Sequence, residues 1–349
     1  MKFTIAREPL LAALDRAKRA VDTKGITSHA RITASANRVT IDATDLTLFV
    51  SCSMPADVKA QGEIGVAPAA LADMVRRMPD GAELSLTVEG TKAKLAAVGT
   101  KRAFQLAVIA ATDLPTMRGA SHDGAVPLDG AALAAHLRRT IVASYDGGDR
   151  ANCHGVALHG LRFVATDGVR LAVSDLGEAV GAPRLLHLAA AKVLASEATA
   201  MGDVGLVVDE FGFSFTSESV NIFVPHVASS FVPYEMVLPK GTRKTTAVVD
   251  VKAAIGALQA MATVAESVAL STCKALRMSA KGERDSAEDE VEATVTGPAA
   301  RVHLDTSLML DAIRGSTEAT VTVGFDGDLD PVTFTSAGYH AVVMPQRAQ

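Results

Sequence analysis

At 349 residues the chain exceeds what one hydrophobic core usually organises, so two or three domains are expected. Hydrophobic residues at 48% and charged residues at 21% exclude long disorder, and 4% aromatics with no tryptophan leave little from which to build a base-stacking platform for single strands. The net charge of −5 weighs against a nucleic-acid partner only on average, because it is blind to which face carries the lysines and arginines.

In chain order, FTIAREPLLAALDRAKRA from Phe3 reads as a short strand and an amphipathic helix, with Leu10, Leu14 and Ala17 at helical spacing. Strands follow in RITASANRVTIDATDLTLFVSCSM from Arg31, then a second helix in APAALADMVRRM from Ala67 and alternating strands from Ala82. The pattern starts again with VPLDGAALAAHLRRTIVAS from Val126, where Leu133, Leu137 and Ile141 share a helix face, and HLAAAKVLASEATAM from His187 is its second helix. DVGLVVDEFGFSFTSESVNIFV follows, with Phe211, Phe213 and Phe215 at the strand period of two. A third round opens at Ala247, with Ile255, Leu258 and Met261 on one face, places its second helix in DTSLMLDAIRGS from Asp305, and closes on strands from Ala319.

This is a repeat with a period of about 120 residues. LPTMRGASHDG and PKGTRKTT have linker composition, which sets expected domains at 1–120, 121–244 and 245–349. Each unit is helix, strands, helix, strands, an α+β arrangement whose helices must cover one face of the sheets.

Four segments carry a resemblance: MKFT at the start, FVATDGVRLAV at 163–173, FVPYEMVLPK at 231–240 and AVVMPQRAQ at the end. In this order, on this repeat, the whole chain resembles the β subunit of bacterial DNA polymerase III, the β sliding clamps. The resemblance implies three repeated clamp domains, each of two helices plus antiparallel sheets, in a head-to-tail homodimer that forms a ring with helices lining the hole. It implies a cytoplasmic, non-catalytic processivity factor that encircles double-stranded DNA whatever its sequence. The partners implied are the polymerase III α subunit, the clamp loader and other proteins with clamp-binding motifs, with no membrane partner. A specialised paralogue serving repair, a mobile element or inhibitor resistance is the alternative.

Lys24, Arg76, Arg77, Arg138, Arg139, Arg150 and Lys192 are the expected DNA-binding residues; Arg16, Lys18, Arg19, Lys252 and Arg314 extend the basic set on the helices. The resemblance places a partner-peptide cleft at Thr166, Gly168, Arg170 and Leu171, at Val232, Met236 and Val237, and at Pro331, Val342, Val343, Met344, Pro345 and Arg347. Apolar anchors would enter such a cleft while a few polar groups fix direction, and methionine repacks readily around different ligands. The chain departs from the family pattern in having Val169 where a His is frequent, Met236 where an Arg or other polar residue is frequent, and Gln346, Ala348 and Gln349 at a less apolar end. FVPYE also replaces the more usual Phe-Pro-Asp-Tyr order. The acidic run Glu283–Glu292 would keep phosphates off an outer surface.

No catalytic residue, metal or cofactor is expected. GxxxxGK[ST] and HExxH are absent, and Asp326, Asp328 and Asp330 lack the terminal Glu of a calcium loop and fit a hairpin turn better. Asp167 beside Arg170 reads as a turn residue with Gly168 at positive φ, rather than as a catalytic carboxylate. Cys52, Cys153 and Cys273 read as reduced thiols, and no apolar run is long enough to span a bilayer.

Overall fold

The computed structural model describes residues 1–147, 149–238 and 240–347; Ala348 and Gln349 of the chain's end lie outside the described residues. Among these residues are six α-helices: α1 (Arg7–Ala17), α2 (Pro68–Arg76), α3 (Gly130–Ile141), α4 (Leu188–Met201), α5 (Val251–Ala262) and α6 (Thr306–Arg314). Each follows a strand, and local chemistry marks several of the starts. Asp250 accepts the Ala253 amide at 2.8 Å ahead of α5, Asp305 accepts the Ser307 and Leu308 amides ahead of α6, and Pro68 opens α2, where a missing N–H costs nothing. Leu10, Ala13, Leu14 and Ala17 form the buried face of α1, and Leu133 and Leu137 are buried on α3. On α5 the buried stripe is Ala254, Ala257, Leu258 and Met261, with Ile255 only half-buried: two alanines, indistinct in a hydropathy pattern, turn the helix toward its neighbours.

The chain forms two compact units, Met1–Ala131 with Glu197–His226, and Ala132–Ser196 with Val227–Gln349. The first holds a five-stranded sheet in the order 57–60, 2–6, 83–89, 92–97, 103–107. It also holds an eight-stranded sheet in the order 126–129, 203–208, 212–216, 220–225, 49–55, 38–44, 30–35, 62–66. The second holds a nine-stranded sheet in the order 184–187, 155–159, 162–166, 170–175, 339–343, 332–336, 320–325, 245–250, 293–296. Its four-stranded sheet runs 286–291, 276–281, 267–272, 301–305. Every pairing is antiparallel.

Both large sheets draw strands from two rounds of the sequence repeat. In the first unit Ile222 stands opposite Val50, and in the second Leu171 stands opposite Val342. Alternation sends one face of each strand inward, as at Ile32, Ala34, Val39 and Ile41. Phe213 and Phe215 are buried as their period requires, but Phe211 lies before the strand, exposed, because Asp209 accepts the Phe211 and Gly212 amides and turns the chain there. Gly130 has a different constraint: a Cβ at this position would lie 2.0 Å from the Ala198 carbonyl oxygen, so only glycine lets α3 start against the end of α4.

Candidate functional site

A cleft of about 450 Å³ opens in the second unit. Its wall begins in the turn between strands 162–166 and 170–175. Asp167 Oδ1 accepts the Val169 and Arg170 amides, each at 3.0 Å, Thr166 Oγ1 accepts the Gly168 amide at 3.1 Å, and Gly168 takes φ +93°. This is a tight Asx turn, as the ATDG segment suggested. Asp167 also holds Arg170 Nε at 2.9 Å while Arg170 Nη1 reaches Asp311 at 2.8 Å, so both residues are committed to structure.

The floor is the pairing of strand 170–175 with 339–343, extended by the Met344 amide, which donates to Val169 O at 2.9 Å. Segment 231–238 forms the other wall. Phe231 and Tyr234 are buried in the cluster with Leu171, Val173 and Val342, and Tyr234 OH lies 2.8 Å from His159 Nδ1. Because His159 Nε2 faces the Gly181 carbonyl at 2.8 Å, which only accepts, the proton belongs on Nε2 and Nδ1 accepts from the tyrosine. Burial is the main influence that pushes the Tyr234 phenol up. With Tyr234 anchored, the short helix 234–236 turns Met236 and Val237 outward; Met236 is 79% exposed, and Val169 and Met344 are exposed on the same rim.

The structure therefore brings together Thr166, Gly168, Arg170, Leu171, Val232, Met236, Val237, Val342 and Met344 from three stretches of sequence. It does not bring the remaining four into the cleft. Val343 alternates to the opposite side of its strand and is buried, and Pro331 sits ahead of strand 332–336. After Met344 the chain is drawn off by the Gln346 amide, which donates to the His303 carbonyl at 2.7 Å, carrying Pro345 and Arg347 with it. Cys153, Pro233 and Tyr234 line the cleft without having been expected there, and Val169, named only as a departure from the family pattern, lines it too. Tyr234 had a signal, an aromatic in an aromatic-poor chain; Cys153 had none. A smaller cavity of about 170 Å³ shares Val342 and is lined by Arg162, Val173, Leu238, Thr333, Thr335 and His340.

The basic residues fall in several environments. Lys24 and Arg77 are exposed, as are Lys252 and Arg314. Arg76 is bound by Asp15 and Asp73, with Asp15 the main cause raising its guanidinium's pKa. Arg138 donates to the Ala195 carbonyl at 2.7 Å, and Lys192 Nζ lies 3.5 Å from Asp146. Arg139 is half-buried, and that burial pushes its pKa down. Arg150 donates to the Asp167 carbonyl at 3.2 Å and lies over the Tyr145 ring, which puts it against the cleft turn. Arg16 Nε is 2.8 Å from Glu197, which also binds Arg19 and is itself only 8% exposed. Among the described residues no group of three His, Cys, Asp or Glu side chains could hold a metal. Asp326 instead accepts the Lys244 amide at 3.0 Å and pairs with Arg243, pinning a hairpin; that amide is the main cause of its lowered pKa.

Comparison with known proteins bears on the same chain from three sides. Residues 1–118 match the family model described as DNA polymerase III beta subunit, N-terminal domain. The β sliding clamp of Caulobacter vibrioides is 28% identical over 262 residues, covering 70% of each chain, and that of Synechococcus elongatus is 24% identical over 374 residues, covering 97% of this chain and 96% of its own. Among solved structures, Caulobacter crescentus pol III beta superposes with a TM-score of 0.90 at 25% identity over the whole of both chains. A sliding clamp from Bartonella birtlesii bound to griselimycin gives the same three values. The first third of the chain matches the N-terminal domain of the DNA polymerase III β subunit family, and along its whole length the chain is similar in sequence and fold to β sliding clamps.

Proposed function

We propose that this protein is the ring-forming processivity clamp of a replicative DNA polymerase, a scaffold that works without turnover. The observation that carries the reading is the open, apolar-rimmed cleft built from the second and third rounds of the repeat, in a chain whose fold matches sliding clamps from end to end. Exposed Met236, Val237, Val169 and Met344 form the kind of surface that anchors a short linear peptide, and soluble proteins keep such apolar rims for binding. The polymerase α subunit, the clamp loader and other proteins with clamp-binding motifs are the proposed peptide donors. Repeats 1–120, 121–244 and 245–349 are read as three clamp domains.

Strands 103–107 and 286–291 each lie at a sheet edge, and they supply a basis for the homodimer. Lys101 and Arg102 flank the first, and Glu288, Asp289 and Glu290 lie on the second, so joining one protomer's edge to the partner's pairs opposite charges head to tail. In the ring the exposed lysines and arginines of the helices meet phosphates without reading bases, which permits sliding. The test is retention on nicked circular DNA after loading with a matching clamp loader. Encirclement predicts retention on the circle and rapid loss once it is linearised; equal retention on both forms means ordinary surface binding and ends the ring reading.

A further inference from the structure

The wall that presents Met236 and Val237 is held by a side chain that does not itself line the cleft. His159, half-buried at the end of strand 155–159, meets Tyr234 OH through Nδ1 and the Gly181 carbonyl through Nε2, each at 2.8 Å. The Tyr234 ring stands edge-on to the imidazole, with centroids 6.0 Å apart. His159 thus ties the loop before strand 184–187 to the short helix 234–236. A helix of three residues has little hold of its own. The Val237 and Leu238 amides both donate to the Tyr234 carbonyl, at 2.9 and 3.3 Å, so the direction in which Met236 and Val237 point follows the placement of Tyr234.

His159, Arg162 and Asp175 stand opposite one another on three adjacent strands, so they share the face against which Tyr234 packs. Arg162 is paired with Asp175, and although it also lies beside Tyr234 it has no acceptor for the phenol's proton. Arg184 opposes Leu158 and takes the other face, and Glu178 is exposed in the loop. Glu235 remains, with Oε1 3.4 Å from His159 Nδ1. A neutral imidazole accepts the tyrosine's proton at Nδ1. When it gains a proton, as histidines do when pH falls toward 5, both ring nitrogens donate, and Nδ1 turns from the hydroxyl to the Glu235 carboxylate.

Resting on the partner-peptide reading of the cleft, we propose that His159 is a positioning residue for that cleft. Neutral His159 holds Tyr234 where it sets Met236 and Val237 on the rim; protonation exchanges Tyr234 for Glu235 and loosens the wall against the peptide.

The test is titration of the full chain with a fluorescent clamp-binding peptide of a polymerase α subunit, blocked at both ends and free of ionisable side chains, so that only the protein titrates. Affinity should fall about threefold or more between about pH 7.5 and about pH 5.5. His159→Gln, which stays polar but takes no proton, should bind with no such slope. Tyr234→Phe should bind about threefold or more weakly than the parent at the higher pH and should also lose the slope. Where Tyr234→Phe fails to fold, the slope of His159→Gln decides. A flat profile in the parent, or the parent's slope retained in His159→Gln, overturns the proposal; the second result is what a His159 that merely fills space would give. Absence of peptide binding at every pH overturns the partner-peptide reading and this inference with it, whereas binding without the slope overturns this inference alone.

Discussion

Leu171 stands directly opposite Val342 across the pairing of strands 170–175 and 339–343, and both side chains are buried beneath the cleft whose rim is the exposed Met236. The cleft thus has a floor that belongs to the core and a rim that does not, and the two can be separated by mutation.

Leu171→Ala removes a core side chain, and a buried Leu→Ala change costs about 2–4 kcal/mol of stability. Met236→Ser touches little in the folded chain, so its stability should stay within about 0.5 kcal/mol of the parent. Its loss should fall on partner-peptide affinity, by about 1 kcal/mol or more. Urea unfolding beside titration with a clamp-binding peptide reads both quantities. A Met236→Ser protein that unfolds early yet binds normally would reverse the roles given to floor and rim.

Glu197 restrains two arginines of α1 and its following turn, Arg16 and Arg19, which the proposed function turns toward DNA. Glu197→Gln keeps the shape and removes the charge that holds Arg16 and Arg19. Breaking a pair that is only partly buried should lower stability by about 1–3 kcal/mol, less than for a fully buried pair. Released toward phosphates, Arg16 should raise affinity for duplex DNA at low salt and steepen the dependence of log affinity on log salt by about 0.9 per added phosphate contact. An unchanged salt slope would mean that Arg16 does not reach DNA.

Burial raises the pKa of Asp42 above the ordinary aspartate value, against the opposing pull of Ser51 and Arg31. The folded chain therefore binds a proton more tightly than the unfolded chain. Its contribution to stability is fully present below the ordinary aspartate value and is lost as pH rises from there through the folded pKa. Asp42→Asn should match the parent in acid and become the more stable protein as pH climbs through that window. Melting temperatures of the pair measured from pH 3 upward check this, and a difference that is flat or of opposite sign contradicts it.

Helix spacing at Leu10 and Leu14 and strand alternation at Phe213 and Phe215 were legible because each reports a local period that burial must obey. Residues brought to the cleft by strand pairing, such as Leu171 and Val342, were reachable through their motifs. Four others lie outside the lining of the cleft for reasons no local period contains. Val343 follows Val342 on a strand and so faces the other way, Pro331 stops short of the next strand, and a single backbone bond from Gln346 to His303 diverts Pro345 and Arg347. The capture of Arg16 by Glu197, far along the chain, was equally invisible: a helical face shows where a charge points, not which distant acid meets it.

The three cysteines give the most direct check on the packing around the cleft. Cys52 is buried on strand 49–55 of the eight-stranded sheet, where desolvation pushes its thiol up to about 12, and Cys153 is buried in the cleft wall with its thiol raised for the same reason. Cys273 is exposed. The thiolate is the reactive form, so burial protects the first two by removing both access and charge. Iodoacetamide at mildly alkaline pH should therefore add one label to the native chain, at Cys273, and label all three cysteines only after unfolding. Peptide mapping identifies the site. Native labelling of Cys153 that a clamp-binding peptide suppresses would mean that the cleft wall opens in solution, and the floor formed by Leu171 and Val342 would then have to be accessible to partners as well.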